Sequence, residues 1–321
     1  MPNLIAHHPP IELARIAFSQ LTDEPVLRIA RLRKGWGHMS WTVRAPSGRY
    51  LIKTGIRRPH LADLYRQVAA QQHAAIHLAT PQVIAISDHG GALQRPAYIQ
   101  CWLEGKDGEV TLPRLSTDGV HRFGRALGTT VAALHRIPGP RFAEDAAGTV
   151  TYPSWAAACH ARLTRVVTAN EKASVLPTDV LHTVTDRIAE LIDHLPGDIT
   201  PRLTHRDLYL PNTLQLTGHE NVGLLDWESA AYYDPVWDHV KLGMWVFDKH
   251  PQLQAPFMDG YTADSPLPNG FDERLTTYQG IEYLAGFPYF GAAWPDQTML
   301  DGFRTLLTGW MDQHHLPGGR P

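Results

Sequence analysis

Up to about residue 103 the chain carries short apolar runs with a period near two, and from Gly105 onward apolar positions recur every three to four residues. Leu27–Leu32, Trp41–Arg44 and Arg49–Lys53 carry β-formers or alternate, and they predict strands. An amphipathic stretch, Ile11–Leu21, comes before them. A helical stretch, Leu61–Leu78, follows and stops before Thr80 and Pro81. Helical periodicity then marks Asp118–His135, Tyr152–Thr168, Thr178–His194, Trp237–Lys249, Phe271–Leu284 and Thr298–Gln313. Two short apolar runs, Asn212–Leu216 and Val222–Leu225, predict a hairpin. Gly105–Pro113 and Ile137–Pro153 are loop-rich. Pro251–Gly270, dense in Pro, Asp and Gly, is expected to be an insertion near a binding site, and the tail Pro317–Pro321 is expected to fray.

The hairpin carries the chemistry. His205-Arg206-Asp207 precedes its first strand, Asn212 opens that strand, and Asp226 ends the second. This gathers two carboxylates and a carboxamide at one end of a small sheet. Oxygen donors of this kind suit Mg²⁺, which takes one or two carboxylates plus substrate phosphates. His-x-Asp-x-x-x-x-Asn is also the catalytic-loop spacing of kinases, in which the Asp receives the acceptor proton and the Asn holds metal. Upstream, Lys34–Ser40 places Gly35 and Gly37 between two strands, where backbone N–H groups can approach phosphate closely. Lys53 ends the strand one hairpin later. A half-buried ammonium there calls for an anionic partner such as nucleotide phosphates.

On these residues the chain resembles the aminoglycoside phosphotransferase and choline kinase family, from about Arg28 to Leu242. The resemblance implies an α+β, two-lobed protein-kinase-like fold: a small N-terminal antiparallel-sheet lobe over residues 1–103 and a larger, mostly helical lobe over 104–321. It also implies Asp207 as catalytic base, Asn212 and Asp226 as metal ligands, and Lys53 as a phosphate contact. Gly35, Gly37, His38 and Ser40 would lie in the phosphate loop. Gln100, Cys101, Trp102 and Leu103 would form the hinge that meets a purine. His205 and Asp238 would support the catalytic loop, with Gly124–His135 as the helix leading to it. Tyr209, Glu228 and Tyr283 are acceptor-side candidates. Two positions depart from the pattern. Gln67 stands where kinases carry a glutamate that pairs with the phosphate lysine, which leaves that pairing weaker or passes it to another acid such as Asp63. Arg206 and Tyr209 replace the family's frequent Gly and His.

Composition narrows the class without fixing the substrate. With 321 residues and 43 % hydrophobic content, the chain can bury a core large enough for two lobes. No apolar run approaches a bilayer span, Met1–Pro10 lacks a signal-peptide core, and Cys101 and Cys159 match no metal spacing. A cytoplasmic enzyme without membrane contact is expected. Residues 1–103 hold 12 Lys/Arg against 5 Asp/Glu, which suits ATP or GTP, and no nucleic-acid-binding signature accompanies them. Together these features predict Mg²⁺-dependent transfer of a γ-phosphoryl group to a hydroxyl of a small molecule. The acceptor favoured is an antibiotic of aminoglycoside, macrolide, peptide or nucleoside type, because 23 Arg against 6 Lys suggests a GC-rich genome. The alternatives are a metabolic kinase for a sugar, choline or amino-alcohol, or a pseudokinase acting through partners. The choice of ATP or GTP and the oligomeric state stay open at this level.

Overall fold

The computed structural model describes residues 9–32, 38–55, 61–217 and 221–317, without the side chains of 38 and 61–63. After α1 (Ile11–Thr22), strands β1 (Arg28–Leu32), β2 (His38–Ala45) and β3 (Gly48–Gly55) run as successive antiparallel hairpins. Helix α2 (Leu61–Ala75) follows, then β4 (Val83–Ser87) and β5 (Ala97–Cys101), which complete a five-stranded sheet in the order β1-β2-β3-β5-β4. Period-two alternation decides its two faces. Tyr50 and Ile52 join Ala14, Ala17 and Phe18 of α1 in one core, with Trp41 and Ile99. Lys53 lies between such positions, directly opposite Tyr98, and Tyr98 packs with Leu64 and Val68 of α2. The lysine therefore faces α2 and the cleft.

The chain leaves β5 and enters β6 (Gly105–Asp107), α3 (Gly108–Thr111), α4 (Thr117–His135), β7 (Phe142–Ala143) and β8 (Thr151–Tyr152). Next come α5 (Trp155–Ala173), α6 (Thr178–Asp193), β9 (Arg202–Thr204), β10 (Thr213–Leu216), β11 (Val222–Leu224) and β12 (Ala231–Tyr233). The last elements are α7 (Trp237–Leu242), α8 (Gln254–Tyr261), α9 (Phe271–Pro288) and α10 (Gln297–Gln313). Ser116, Ser154 and Asp296 start α4, α5 and α10 by accepting a backbone N–H three residues on, as N-caps do. Helices α5, α6, α9 and α10 share one core with Trp155, Trp237 and Tyr278 at its centre. The result is the α+β, two-lobed protein-kinase-like fold.

Several expectations need correction. The first hairpin strand starts at Thr213 rather than Asn212, because Leu210–Asn212 forms a 3-10 turn. The loop-rich stretch 137–153 contributes β7 and β8 to a sheet ordered β8-β7-β12-β9. Pro251–Gly270 is not a plain insertion, since it contains α8, whose Phe257 and Tyr261 belong to the core. The approach of α8 to α4 is close enough to demand glycine on both sides. A Cβ at Gly128 would lie 2.0 Å from the Phe257 carbonyl oxygen, and one at Gly260 would lie 2.0 Å from that of Arg125. Beyond Leu242 the expected long helix becomes a π-helical turn, Gly243–Phe247.

Candidate active site

Strand β10 pairs antiparallel with β11, setting Thr213 against Leu224 and Leu214 against Gly223. On its other edge β10 pairs with β6, so the segment just past the hinge belongs to the same small sheet. A Cβ on Gly223 would stand 2.8 Å from the Leu103 side chain, which lets the hinge lie directly on this hairpin. The hinge amides are partly committed: Cys101 donates to Gln82 and Trp102 to Arg49, at 2.8 Å each. The Leu103 amide makes no hydrogen bond among the described residues. Gln100 is buried and accepts from Gln71 of α2. The Arg49 guanidinium covers the Trp102 ring at 4.5 Å.

Asp207 follows β9 in a loop held from behind. The buried Asp238 of α7 accepts the His205 amide at 2.8 Å and the Arg206 amide at 2.5 Å. Arg206 has φ 63°, a left-handed conformation that side-chain-bearing residues adopt only when held. These two bonds supply that hold. His135, the last residue of α4, bonds both Asp238 at 3.0 Å and the Tyr261 hydroxyl at 2.8 Å. Although burial favours the neutral acid, the His135 hydrogen bond and nearby charges hold the Asp238 carboxyl below its ordinary value. His205 anchors the other side through its ring Nε2 and the Leu225 carbonyl, 2.9 Å apart.

At the front of the loop, the Asn212 side-chain amide donates to the Asp207 carbonyl and carboxylate, 3.0 Å each. That orientation turns the carboxamide oxygen of Asn212 away from Asp207. Burial pushes the Asp207 carboxyl up, opposed first by the charge of Lys241 and then by that of His205, with Asp226 adding to the rise. Asp226, at φ 66°, is one-third exposed and meets Lys53 Nζ at 2.9 Å. The Lys53 side chain is nearly buried. Burial works against its charge, but Asp226 and Tyr98 more than offset this and hold its pKa well above the ordinary lysine value.

Gln67 resolves the missing glutamate. Its side chain is 1 % exposed, and its amide donates to the same Asp226 oxygen at 3.2 Å. The lysine thus pairs with Asp226, and α2 contributes a neutral donor to that carboxylate instead of a second charge. The Asp63 side chain, the other candidate, lies outside the described residues, as do Gly35 and Gly37 and the His38 side chain. Ser40 is buried and sits directly across from Lys53.

The acceptor-side candidates separate. Tyr209 is half-buried, and the nearby acids Asp207, Asp226 and Glu228 act on its hydroxyl. Glu228 is exposed, and partial desolvation, then the charge of Asp226, push its carboxyl up. Tyr283 packs into the helical core at 7 % exposure, and no described contact joins it to Asp207. Neighbours Tyr278 and Phe287 are core as well, whereas Tyr289 and Trp294 are exposed. Sequence reading missed Lys241, which faces Asp207 electrostatically and contacts Glu282 at 3.4 Å. Its spacing of three from Asp238 on a helix was the available signal.

Among the described residues no group of three or more His, Cys, Asp or Glu side chains stands ready to hold a metal. Asp226 and Asn212 carry oxygen donors, the ligand type of a hard cation completed by a ligand's phosphates. No described helix is long and apolar enough to cross a membrane.

Among solved structures, a candidate fructosamine-3-kinase from Thermobifida fusca superposes with a TM-score of 0.67 at 20 % identity, covering 96 % of this chain and 99 % of that one. An aminoglycoside phosphotransferase in ternary complex with ADP and hygromycin B gives a TM-score of 0.65 at 14 % identity, covering 90 % and 93 %. A macrolide 2'-phosphotransferase from Brachybacterium faecium gives 0.60 at 18 % identity, covering 91 % and 97 %. No curated protein matches the chain. The model of the phosphotransferase enzyme family matches residues 28–273, and with Asp207, Asn212, Asp226 and Lys53 gathered at one cleft, the chain belongs to that family.

Proposed function

We propose that this small-molecule phosphotransferase moves the γ-phosphoryl group of ATP or GTP to a hydroxyl of an antibiotic, in the cytoplasm, with Mg²⁺ as cofactor. The observation that carries the reading is the convergence of four side chains from both lobes. Lys53 and Asp226 meet at 2.9 Å, and Asn212 bonds Asp207 at 3.0 Å. Asp207 orients the acceptor hydroxyl and receives its proton. Lys53 turns from Asp226 to the donor's α/β-phosphates, and residues 100–103 meet the purine at the boundary proposed between the lobes. Asp226 and Asn212 would hold Mg²⁺, which supplies charge neutralisation on the phosphates. Two features support the donor site: the hinge amide of Leu103, unpaired among the described residues, and the ADP bound in the hygromycin-associated neighbour. The antibiotic acceptor is favoured by the aminoglycoside and macrolide enzymes among the structural neighbours and by the arginine-rich composition.

The test is turnover of the purified protein with MgATP or MgGTP over a panel of aminoglycosides, macrolides, peptide and nucleoside antibiotics, plus fructosamines, sugars and choline. Asp207→Ala is expected to lower kcat by about 10²-fold or more while keeping nucleotide binding. Asp226→Ala should lose Mg²⁺-dependent nucleotide binding itself. An Asp207→Ala enzyme as active as the parent refutes the mechanism, and phosphorylation of only the metabolic acceptors refutes the antibiotic reading.

A further inference from the structure

Asp207 stands among acids and one tethered cation. Asp226 acts on it from the segment after β11 and His205 from its own loop, and Asp207 acts in turn on Tyr209 and Glu228. Helix α7 adds Lys241. Asp238 of that helix binds the two amides immediately before Asp207, and Lys241 follows three residues later, on the same helical face. Its charge is the foremost positive one acting on the Asp207 carboxylate.

Lys241 is held in place, and its donors are not used up. The side chain is 21 % exposed and reaches Glu282 Oε2 of α9 at 3.4 Å, beyond good hydrogen-bond length. No other contact of its ammonium is found among the described residues. Glu282 is itself buried and already receives Arg162 at 3.2 Å. Burial favours its neutral form, yet Lys241, Arg162 and Arg206 hold its carboxyl down to about 2. One carboxylate therefore faces two contacting cations, with a third close by. Of the two contacting cations, Lys241 is the one on α7, one helical turn from the Asp238 that holds the catalytic loop, and an ammonium has three N–H donors to offer.

We propose that Lys241 is a further catalytic residue that hydrogen-bonds the phosphoryl group in flight, with Glu282 and Arg162 positioning it. The inference rests on the kinase reading above. In the step, the acceptor oxygen forms a bond to the γ-phosphorus and its proton passes to Asp207. The bond from that phosphorus to the β,γ-bridging oxygen breaks, and its electron pair leaves with the nucleoside diphosphate. Negative charge spreads over the three equatorial oxygens during transfer, so a cation on the Asp207 side stabilises the transition state more than the bound nucleotide. Lys53 holds the donor end of the same chain of phosphates.

The experiment uses the whole chain with MgATP and water as acceptor, read as ADP release, beside calorimetric binding of MgATP. Lys241→Met should lower kcat by about 30-fold or more while KM and Kd for MgATP stay within about threefold. Lys241→Arg should recover activity to within about fivefold of the parent, because a guanidinium also donates to phosphate. Glu282→Gln should lower kcat by about three- to tenfold by loosening the tether. A purely structural lysine would shift the unfolding midpoint and leave the kcat-against-KM split unmoved. Lys241→Gln, less apolar than Met, serves if the Met variant does not fold. A Met or Gln variant with kcat within twofold of the parent overturns the proposal, as does a change confined to KM. A parent chain that binds MgATP and never turns it over is a different failure: it sinks the kinase reading, and the role of Lys241 with it.

Discussion

Gln67→Glu installs the acid that kinases usually carry at this place, and the geometry predicts harm in the metal-free protein. The Gln67 amide is 3.2 Å from an Asp226 oxygen, so a carboxylate there would face another across the same gap. At an effective dielectric of about 20, two charges at that distance repel by about 5 kcal/mol. Lys53 Nζ lies 2.9 Å from the same oxygen, hence no more than about 6 Å from the new group, and returns about 3 kcal/mol of attraction. The lost charge-assisted hydrogen bond adds about 1.5 kcal/mol. Net destabilisation should be about 3.5 kcal/mol. It has a ceiling near 4 kcal/mol at pH 7, where the new carboxyl escapes by taking up a proton against its ordinary pKa of about 4.3. Urea denaturation in EDTA measures this directly. Repeating it with Mg²⁺ and nucleotide should recover much of the loss, because a cation on Asp226 neutralises the repulsion. A variant as stable as the parent in EDTA would refute the assignment of Gln67 as donor to Asp226.

Two further predictions concern the scaffold. His239 is 5 % exposed among Tyr261, Phe271 and Phe257, and burial, then the charge of His135, pushes its pKa down to about 3. The unfolded chain takes up that proton first as pH falls below 6.5, so stability present above 6.5 is lost on the way to 3, by about 2 kcal/mol at pH 5. His239→Phe should flatten that part of the urea-midpoint profile between pH 7 and 5, and an unchanged slope would contradict a neutral buried ring. Gly128→Ala drives a methyl to 2.0 Å from the Phe257 carbonyl oxygen and should cost at least about 2 kcal/mol in thermal or chemical denaturation; a neutral substitution would show that α4 and α8 do not meet so closely.

Much of the cleft was legible because its residues lie on short, regular pieces of chain. The hairpin from Thr213 to Leu224 shows in its apolar runs, and it brings Asn212 and Asp226 to one end by local geometry alone. Lys53 was legible as a charge ending an apolar strand. Long-range choices were hidden. Nothing local tells Asp226 to accept from both Lys53 and Gln67, which are 173 and 159 positions away in sequence. Strand β6 was concealed in a glycine-containing stretch of three residues that pairs only with a distant strand. Helix α8 hid behind Pro251 and Pro256, since its stability comes from packing on α4 rather than from propensity. The aromatics of α9 allowed both pocket and core, and tertiary packing chose core for Tyr278, Tyr283 and Phe287.

Asp226 has a further consequence when seen as a shared resource. One of its oxygens holds Lys53 and Gln67 together. On the proposed assignment, a cation entering at Asp226 frees Lys53 for the phosphates, and phosphates that take Lys53 free Asp226 for the cation. Each ligand removes the other's competitor, so cation and nucleotide must bind with positive heterotropic cooperativity even if no helix or strand moves. Linkage makes the effect reciprocal: the factor by which Mg²⁺ tightens nucleotide is the factor by which nucleotide tightens Mg²⁺. Measured affinities would then report an exchange of partners within the cleft, and neither ligand has a single intrinsic Kd apart from the concentration of the other.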